Sequence, residues 1–285
     1  MLSNNDLANR DAWQKITYGY SYDEDYGWQK DDVELLLELI GPAPKNILEV
    51  CCGTGRVLVP LAKAGHNMTG IDYDIGMMAR LYGKARGFAN IKYRYAEAVT
   101  SDWGTGFDVV IIASNTIQNI DRSEDYYQGP ETFDYKEAQK IFINKSAKAL
   151  KPGGYFYFTF DLYDDPKGFF TAAPSEEFLT DPADIDMSGA ETDIFGVRSK
   201  SVSGGYNYDE KTRIASGIYR TIEIFPNGER HVNDELWFKH ILTLEQVHEW
   251  LAENGLEAGQ VYNGYHKEPI KENQYNHAVF WAGKI

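Results

Sequence analysis

Between residues 45 and 161 the chain alternates short apolar runs with helical segments, and no other feature of the sequence restricts the fold as much. Residues 46–50 (NILEV), 67–71, 91–95, 107–113 (FDVVIIA) and 155–161 have the length and composition of buried strands. The FDVVIIA run is apolar without alternation, which predicts burial on both faces of a sheet. Helices are predicted over 55–64, stopped by Gly65, from about Asp74 to Arg86, and from Glu137 to Leu150, stopped by Lys151-Pro152-Gly153-Gly154. Upstream, DDVELLLELI puts Val33, Leu36, Leu37 and Ile40 at helical spacing before Gly41-Pro42. Strands that alternate with helices pair in parallel through right-handed crossovers, so an α/β, doubly wound, mostly parallel sheet is expected.

Outside this stretch the rhythm changes. Residues 1–30 are polar and aromatic, with Trp13, Tyr18, Tyr20, Tyr22, Tyr26 and Trp28 at no clean period. Residues 162–190 read as loop with short helix. Residues 193–241 carry strand-like runs with hairpin signals at Asn207-Tyr208-Asp209-Glu210 and, more strongly, at Pro226-Asn227-Gly228, because Asn-Gly tolerates positive φ. Thr243-Leu244-Glu245-Gln246 fits a capping box before a helix faced by Val247, Trp250 and Leu251, with Gly255 as its stop. Residues 259–262 and 278–281 read as closing strands. The expected organisation is an aromatic-rich cap and helix over 1–44, a ligand-binding core over 45–161, an antiparallel insert over 162–241 and a closing segment over 242–285.

Composition narrows the partners. Lys and Arg total 28 against 43 Asp and Glu, a formal net charge of −15 in 285 residues. Such a surface repels phosphate backbones and anionic membranes. Two adjacent cysteines, Cys51 and Cys52, give neither a disulfide framework nor a zinc spacing. The six His form no HExxH or similar pattern, so no catalytic metal is expected. No apolar run reaches the ~18 residues needed to span a bilayer. The polar N-terminus lacks the apolar region of a signal peptide. These features predict a cytoplasmic protein; a homodimer is left open.

The stretch that carries chemistry is Ile47-Leu48-Glu49-Val50-Cys51-Cys52-Gly53-Thr54-Gly55-Arg56. A buried strand runs into Gly53-x-Gly55 and then a helix, at the carboxyl edge where open sheets bind ligands. The third glycine of a dinucleotide fingerprint would fall at Leu58, and Glu49 would repel a pyrophosphate. A ligand with positive charge and no phosphate suits this loop better. The second strand ends in Gly70-Ile71-Asp72, an acid placed to accept from ribose hydroxyls, with Asp74 better suited to cap the next helix.

Segments 49–55, 70–72, 95–98, 107–115 and 150–154, in this order and spacing, resemble the successive motifs of class I S-adenosylmethionine-dependent methyltransferases, over roughly residues 30–161 and 243–285. The resemblance implies a seven-stranded Rossmann-like sheet, S-adenosylmethionine as methyl donor and S-adenosylhomocysteine as product. It implies that Glu49, Cys51, Gly53 and Gly55 surround the methionine moiety and that Asp72 binds ribose. Tyr73 and Met77 would flank the adenosine, Ala96, Glu97 and Ala98 would meet the adenine, and Ser114 and Asn115 would edge the transfer centre. Cys51 stands where the family often has Gly, and Ala96-Glu97 where it often has Gly-Asp. The Asp/Asn-Pro-Pro-Tyr motif of nucleic-acid amino-methyltransferases is replaced by Ser114-Asn115-Thr116-Ile117, which argues against a base substrate. The insert and the aromatic N-terminus resemble N-methyltransferases of amino sugars and glycine-like amines, so a small-molecule acceptor, most plausibly an amine, is expected.

Methyl transfer requires collinear nucleophile, methyl carbon and sulfur, and an amine acceptor must lose a proton first. His240, Glu235, Tyr18 and Tyr22 are the candidate groups near the acceptor. The competing readings are a nicotinamide-dependent oxidoreductase on a similar sheet, and a nucleoside-binding module without catalysis.

Overall fold

The computed structural model describes residues 4–120 and 134–285. The elements in chain order are α1 (Asn4–Tyr26), α2 (Asp31–Ile40), β1 (Asn46–Val50), α3 (Leu58–Lys63), β2 (Asn67–Asp72), α4 (Ile75–Ala85), β3 (Ile91–Tyr95), β4 (Phe107–Ile112), α5 (Tyr135–Ala149), β5 (Leu150–Leu162), α6 (Pro166–Phe169), α7 (Glu176–Leu179), β6 (Glu191–Thr192), β7 (Arg198–Asp209), β8 (Ile214–Ile224), β9 (Arg230–His240), α8 (Leu244–Glu253), β10 (Leu256–Asn263) and β11 (Asn276–Lys284). They form two compact units. Gln14–Asp164 with Leu242–Ile285 make an α/β unit, and Met1–Trp13 with Asp165–Ile241 make an antiparallel unit. The N-terminal segment expected as one cap over 1–44 is thus divided between the two.

The α/β unit holds a seven-stranded sheet in the order β10-β11-β5-β4-β1-β2-β3. The β1–β2, β2–β3, β1–β4 and β4–β5 pairs are parallel; β5–β11 and β11–β10 are antiparallel. Strand order reverses between β1 and β4, which opens a crevice at their carboxyl ends. Central strands are buried on both faces, as the FDVVIIA run requires. The aromatic rings of β5 and β11 form much of this unit's core. Phe156, Phe158, Phe160 and Phe280 are fully buried on one face of β5 and β11, with Phe158 and Phe280 stacked at 4.7 Å. Burying each such ring contributes roughly 1.5–3 kcal/mol. The opposite face of the same strands carries Tyr157, Thr159 and Asp161 in register with Trp281, Val279 and His277.

Three local expectations are corrected. The helix after the glycine loop is short, Leu58–Lys63, because residues 51–57 are spent on the turn. The turn between β7 and β8 lies at 210–213, past Asn207, which stays in the ladder opposite Ser216. Asp209 Oδ1 fixes that turn by accepting from the Lys211 and Thr212 amides. The N-terminal region is a 23-residue helix, α1, where no period was visible. Within the α/β unit α1 is held by close contact and charge instead of an apolar stripe. A Cβ added to Gly76 of α4 would lie 1.6 Å from the Lys15 carbonyl oxygen, and one added to Gly19 would lie 2.8 Å from the Gly76 oxygen. Asp23 accepts from Thr54 Oγ1, Arg80 Nε and Lys84 Nζ, each at 2.6 Å.

The antiparallel unit is a four-stranded sheet, β6-β7-β8-β9. Residues 225–229 form the tight turn, with Gly228 at φ 83° and its amide donating to the Phe225 carbonyl. Its small core gathers Ile185, Met187, Val202 and Ile222, while most of β9 is exposed. Arg10 donates to Asp193 and Glu223 at 2.5 Å each and lies over the Phe225 ring.

Candidate active site

The end of β1 turns sharply. Cys51, Gly53 and Gly55 all take left-handed conformations, φ 56°, 52° and 76°. Only glycine does this freely, so Cys51 carries a local cost of about 1–2 kcal/mol. Gly53 donates its amide to Asp72 Oδ2 at 2.7 Å, and Asp72 Oδ1 accepts from the Asp74 amide at 2.8 Å. The carboxylate at the end of β2 therefore ties the glycine loop to the start of α4. Burial pushes the Asp72 carboxyl upward, against the opposing pull of those backbone amides. Asp74 is the N-cap of α4, accepting from the Met77 amide, as its position predicted. The two glycines divide the work. Gly53 faces open space, with Met77 Sδ 3.9 Å from where its Cβ would be. Gly55 makes room for α4, since its Cβ would strike Leu81 Cδ1 at 2.5 Å.

These residues open onto a cavity of about 260 Å³ at the carboxyl ends of β1, β2 and β4. Of the expected cofactor residues, Cys51, Gly53, Asp72, Tyr73, Met77, Glu97, Ala98 and Ser114 line it. Tyr18 and Tyr22 of α1 also line it, as do Asp74, Thr116, Asn119, Ile120 and Phe142, which the sequence did not single out for this role. Glu49, Gly55, Ala96 and Asn115 are not among the lining residues. Glu97 is turned toward its own chain: Oε1 accepts from the Val99 amide, and Oε2 from the Thr100 amide and hydroxyl. Burial and then the charge of Asp74 push the Tyr18 phenol up, so at neutral pH it is a hydrogen-bond donor and a poor base. Glu235 and His240 lie on β9 of the antiparallel unit and do not line this cavity. Glu235 is exposed opposite Tyr219, and His240 is buried opposite Ile214.

Behind the loop sits a buried charge layer that sequence reasoning missed. Arg56 forks onto Asp32 of α2, Nη1 to Oδ1 at 2.9 Å and Nη2 to Oδ2 at 2.5 Å, and also reaches Ser114 Oγ at 2.9 Å. Glu49 is buried beside them with Oε2 unpartnered, and burial pushes its carboxyl up to about 8 although Arg56 opposes the shift.

A second polar cluster closes the edge at β4, β5 and β11. Ser114 and Asn115 are both left-handed, φ 57° and 58°. Asn115 donates its amide to Thr159 Oγ1 at 3.0 Å and its Nδ2 to Asp161 Oδ2 at 2.7 Å. Asp161 Oδ1 accepts from Tyr275 at 2.6 Å and pairs with His277 Nδ1 at 3.1 Å; His277 Nε2 meets the Tyr265 hydroxyl at 3.0 Å. Burial works against the Asp161 charge, but bonds from His277 and Tyr275 hold its carboxyl below the usual range. Asp161 ends a predicted strand, a visible hint; His277 joins it only through the antiparallel β5–β11 register. Among the described residues no group of His, Cys, Asp and Glu forms a metal site, and no helix is long and apolar enough to cross a membrane.

Residues 47–129 match the family described as a methyltransferase domain. The chain is 30% identical over 129 residues to a ubiquinone biosynthesis O-methyltransferase of Hydrogenovibrio crunogenus, covering 45% of this chain and 47% of that protein. It spans about half the length of the curated relatives it matches. Among solved structures it is similar to a S-adenosylmethionine-dependent methyltransferase from Clostridium acetobutylicum (TM-score 0.63, 14% identity, 94% of this chain and 97% of the other). It is also similar to CalS10, an amino pentose methyltransferase from Micromonospora echinaspora (TM-score 0.56, 15% identity, 94% and 97%). Residues 47–129 thus resemble a methyltransferase domain, and the fold is the Rossmann-like class I methyltransferase fold with a separate antiparallel sheet.

Proposed function

We propose that this chain binds S-adenosylmethionine in the cavity beside the glycine loop and transfers its methyl group to the amine nitrogen of a small-molecule acceptor. One observation carries the choice of cofactor: the Gly53 amide, which a dinucleotide loop would offer to pyrophosphate, is already taken by Asp72. The described lining holds three carboxylates, Asp72, Asp74 and Glu97, and no Lys, Arg or His. That field favours a net cation and disfavours a nicotinamide dinucleotide. When bound, S-adenosylmethionine supplies an electrophilic methyl on a sulfonium.

The chain's own residues fit this use. Asp72 spends one lone pair per oxygen on backbone amides and keeps acceptor capacity for ribose hydroxyls. Glu97 keeps acceptor capacity for the adenine side on Oε1, since Oε2 already accepts from both the amide and the hydroxyl of Thr100. Tyr18 and Tyr22 offer aromatic faces to a cationic acceptor, each worth roughly 0.5–2 kcal/mol. Ser114 and Asn115, at the end of β4, stand between the cavity and the Asp161 cluster. Ser114, which lines the cavity beside Thr116, carries the hydroxyl at this edge that can meet an N–H or O–H of the acceptor. The relatives' names support the coarse reading and diverge on the atom, one an O-methyltransferase and one acting on an amino pentose. The formal charge of −15 supports a small neutral or cationic acceptor over nucleic acid.

The test has two steps. S-adenosylhomocysteine is expected to raise the unfolding midpoint where NAD does not. A methyl-transfer screen over amines, amino sugars, phenols, carboxylic acids and oligonucleotides then reads the acceptor, with amine rates rising as pH rises. Stabilisation by NAD alone, or transfer only to oligonucleotides, refutes the proposal.

A further inference from the structure

Three cations stand behind the glycine loop, and none lines the described cavity. Arg56 is neutralised by Asp32. Arg80 and Lys84 project from α4 toward one carboxylate, Asp23 of α1, which accepts from both at 2.6 Å. Asp23 also accepts from Thr54 Oγ1 at 2.6 Å, and Lys84 donates to the same hydroxyl at 3.1 Å. Thr54, between Gly53 and Gly55, is fully buried. Asp23 thus reaches the middle of the loop whose first glycine faces the cavity, while holding Arg80 and Lys84. The cluster of Asp23, Arg80 and Lys84 carries a net charge of +1; without the carboxylate it carries +2.

Resting on the cofactor reading above, we propose that Asp23 is a positioning residue that shields the cofactor cavity from Arg80 and Lys84, and so limits the electrostatic penalty on the cationic methyl donor relative to its neutral product. S-adenosylmethionine and S-adenosylhomocysteine share the adenosine and amino-acid parts and differ by the sulfonium charge and one methyl. A loop that is merely loosened weakens both alike. An unshielded charge penalises the sulfonium selectively, because a Coulomb term acts on the charge that only one ligand carries. Asp23 is on a helix that periodicity did not reveal, so no loop motif contains it.

The experiment is calorimetric titration of both ligands into wild type, Asp23→Asn, Lys84→Met and the Asp23→Asn/Lys84→Met double variant. Asp23→Asn is expected to raise the ratio of Kd for S-adenosylmethionine to Kd for S-adenosylhomocysteine about tenfold. The double variant, back at +1, is expected to return the ratio to within about twofold of wild type. Lys84→Met alone lowers the ratio about threefold, and reads the same shielding if Asp23→Asn does not fold. Equal loss for both ligands in Asp23→Asn, or an unchanged ratio in Lys84→Met, overturns the proposal. Failure of wild type to bind either ligand overturns the cofactor reading itself, an outcome distinct from wild type binding both with no change in ratio among the variants.

Discussion

Asp72 and Asp161 end parallel strands at the same edge of one sheet, and their surroundings are opposite. Asp72 accepts two backbone amides, stands with Asp74 and Glu97 on an open cavity, and is pushed up by burial. Asp161 is met by side-chain donors from three segments, Asn115, Tyr275 and His277, and is held down. Burial opposes ionisation in both; the number and charge of the donors decides the outcome. The edge therefore has an acid-rich half with acceptor capacity left for a ligand and a half whose acid is consumed by the protein. Glu49, on β1 between them, is the extreme case, buried with one oxygen unpartnered.

Glu49 gives the largest expected effect. Its folded value of about 8 lies above the ordinary 4.5, so the native state keeps a proton that the unfolded chain loses. The stability tied to that proton is fully present below pH 4.5 and is lost as pH rises toward 8. Glu49→Gln keeps the shape and never ionises. It is expected to gain on wild type by on the order of 4 kcal/mol across that interval, read by urea unfolding at pH 5 and pH 8. Parallel stability curves for the two proteins would remove Glu49 from the comparison.

Asp161→Ala comes next. It strands Asn115, Tyr275 and His277 together and is expected to cost roughly 2–4 kcal/mol at pH 7, with S-adenosylhomocysteine affinity changed less than about threefold. Because the Asp161 carboxyl is held low, its contribution is present above the ordinary carboxylate range and lost as pH falls through its folded value. The variant should therefore lose part of the acid limb of the stability curve. A large loss of cofactor affinity with stability intact would erase the contrast with Asp72.

How much of this edge was legible depended on whether the deciding partner was local. The strand-loop-helix reading puts Gly53, Asp72 and Ser114 at or just past the carboxyl ends of β1, β2 and β4, and there they line the cavity. The Thr243–Gln246 capping box is present for the same reason. α1 was illegible because its contacts in the α/β unit are a glycine crossing at Gly19 and Gly76 and the Asp23 ion pairs, neither of which leaves an apolar period. Asp32 looked like an ordinary first-turn acid, yet it is buried against Arg56 from 24 residues away. His277 meets Asp161 across 116 residues through a strand register that local patterning does not encode. The motif alone turns Gly55 toward a ligand, but its missing Cβ makes room for Leu81.

Asp72→Ala tests the ligand-facing half directly. The Gly53 and Asp74 amides lose their acceptor, and so would the ribose hydroxyls. Affinity for S-adenosylhomocysteine is expected to fall by roughly 1–3 kcal/mol, read by calorimetry. Unchanged affinity would mean that this half of the edge, like the other, serves only the protein.

The smallest effect is expected at Glu97, the last acid of the cavity. Its position suits the adenine side, but both of its oxygens already accept from the turn that follows, from Val99 and Thr100 amides and the Thr100 hydroxyl. Glu97→Gln keeps one carbonyl oxygen, so it can preserve one of those bonds while removing the charge. A ligand donor to this group therefore loses charge assistance more than a partner, a difference of roughly 0.5–1 kcal/mol, or about two- to fivefold in Kd. The loss should be equal for S-adenosylmethionine and S-adenosylhomocysteine if Glu97 acts through an adenine hydrogen bond, since the adenine is the same in both. It should fall more heavily on S-adenosylmethionine if Glu97 acts as a field on the sulfonium, because only that ligand carries the charge. Calorimetry of the two ligands against this one variant separates a local contact from the collective charge of the acid-rich half.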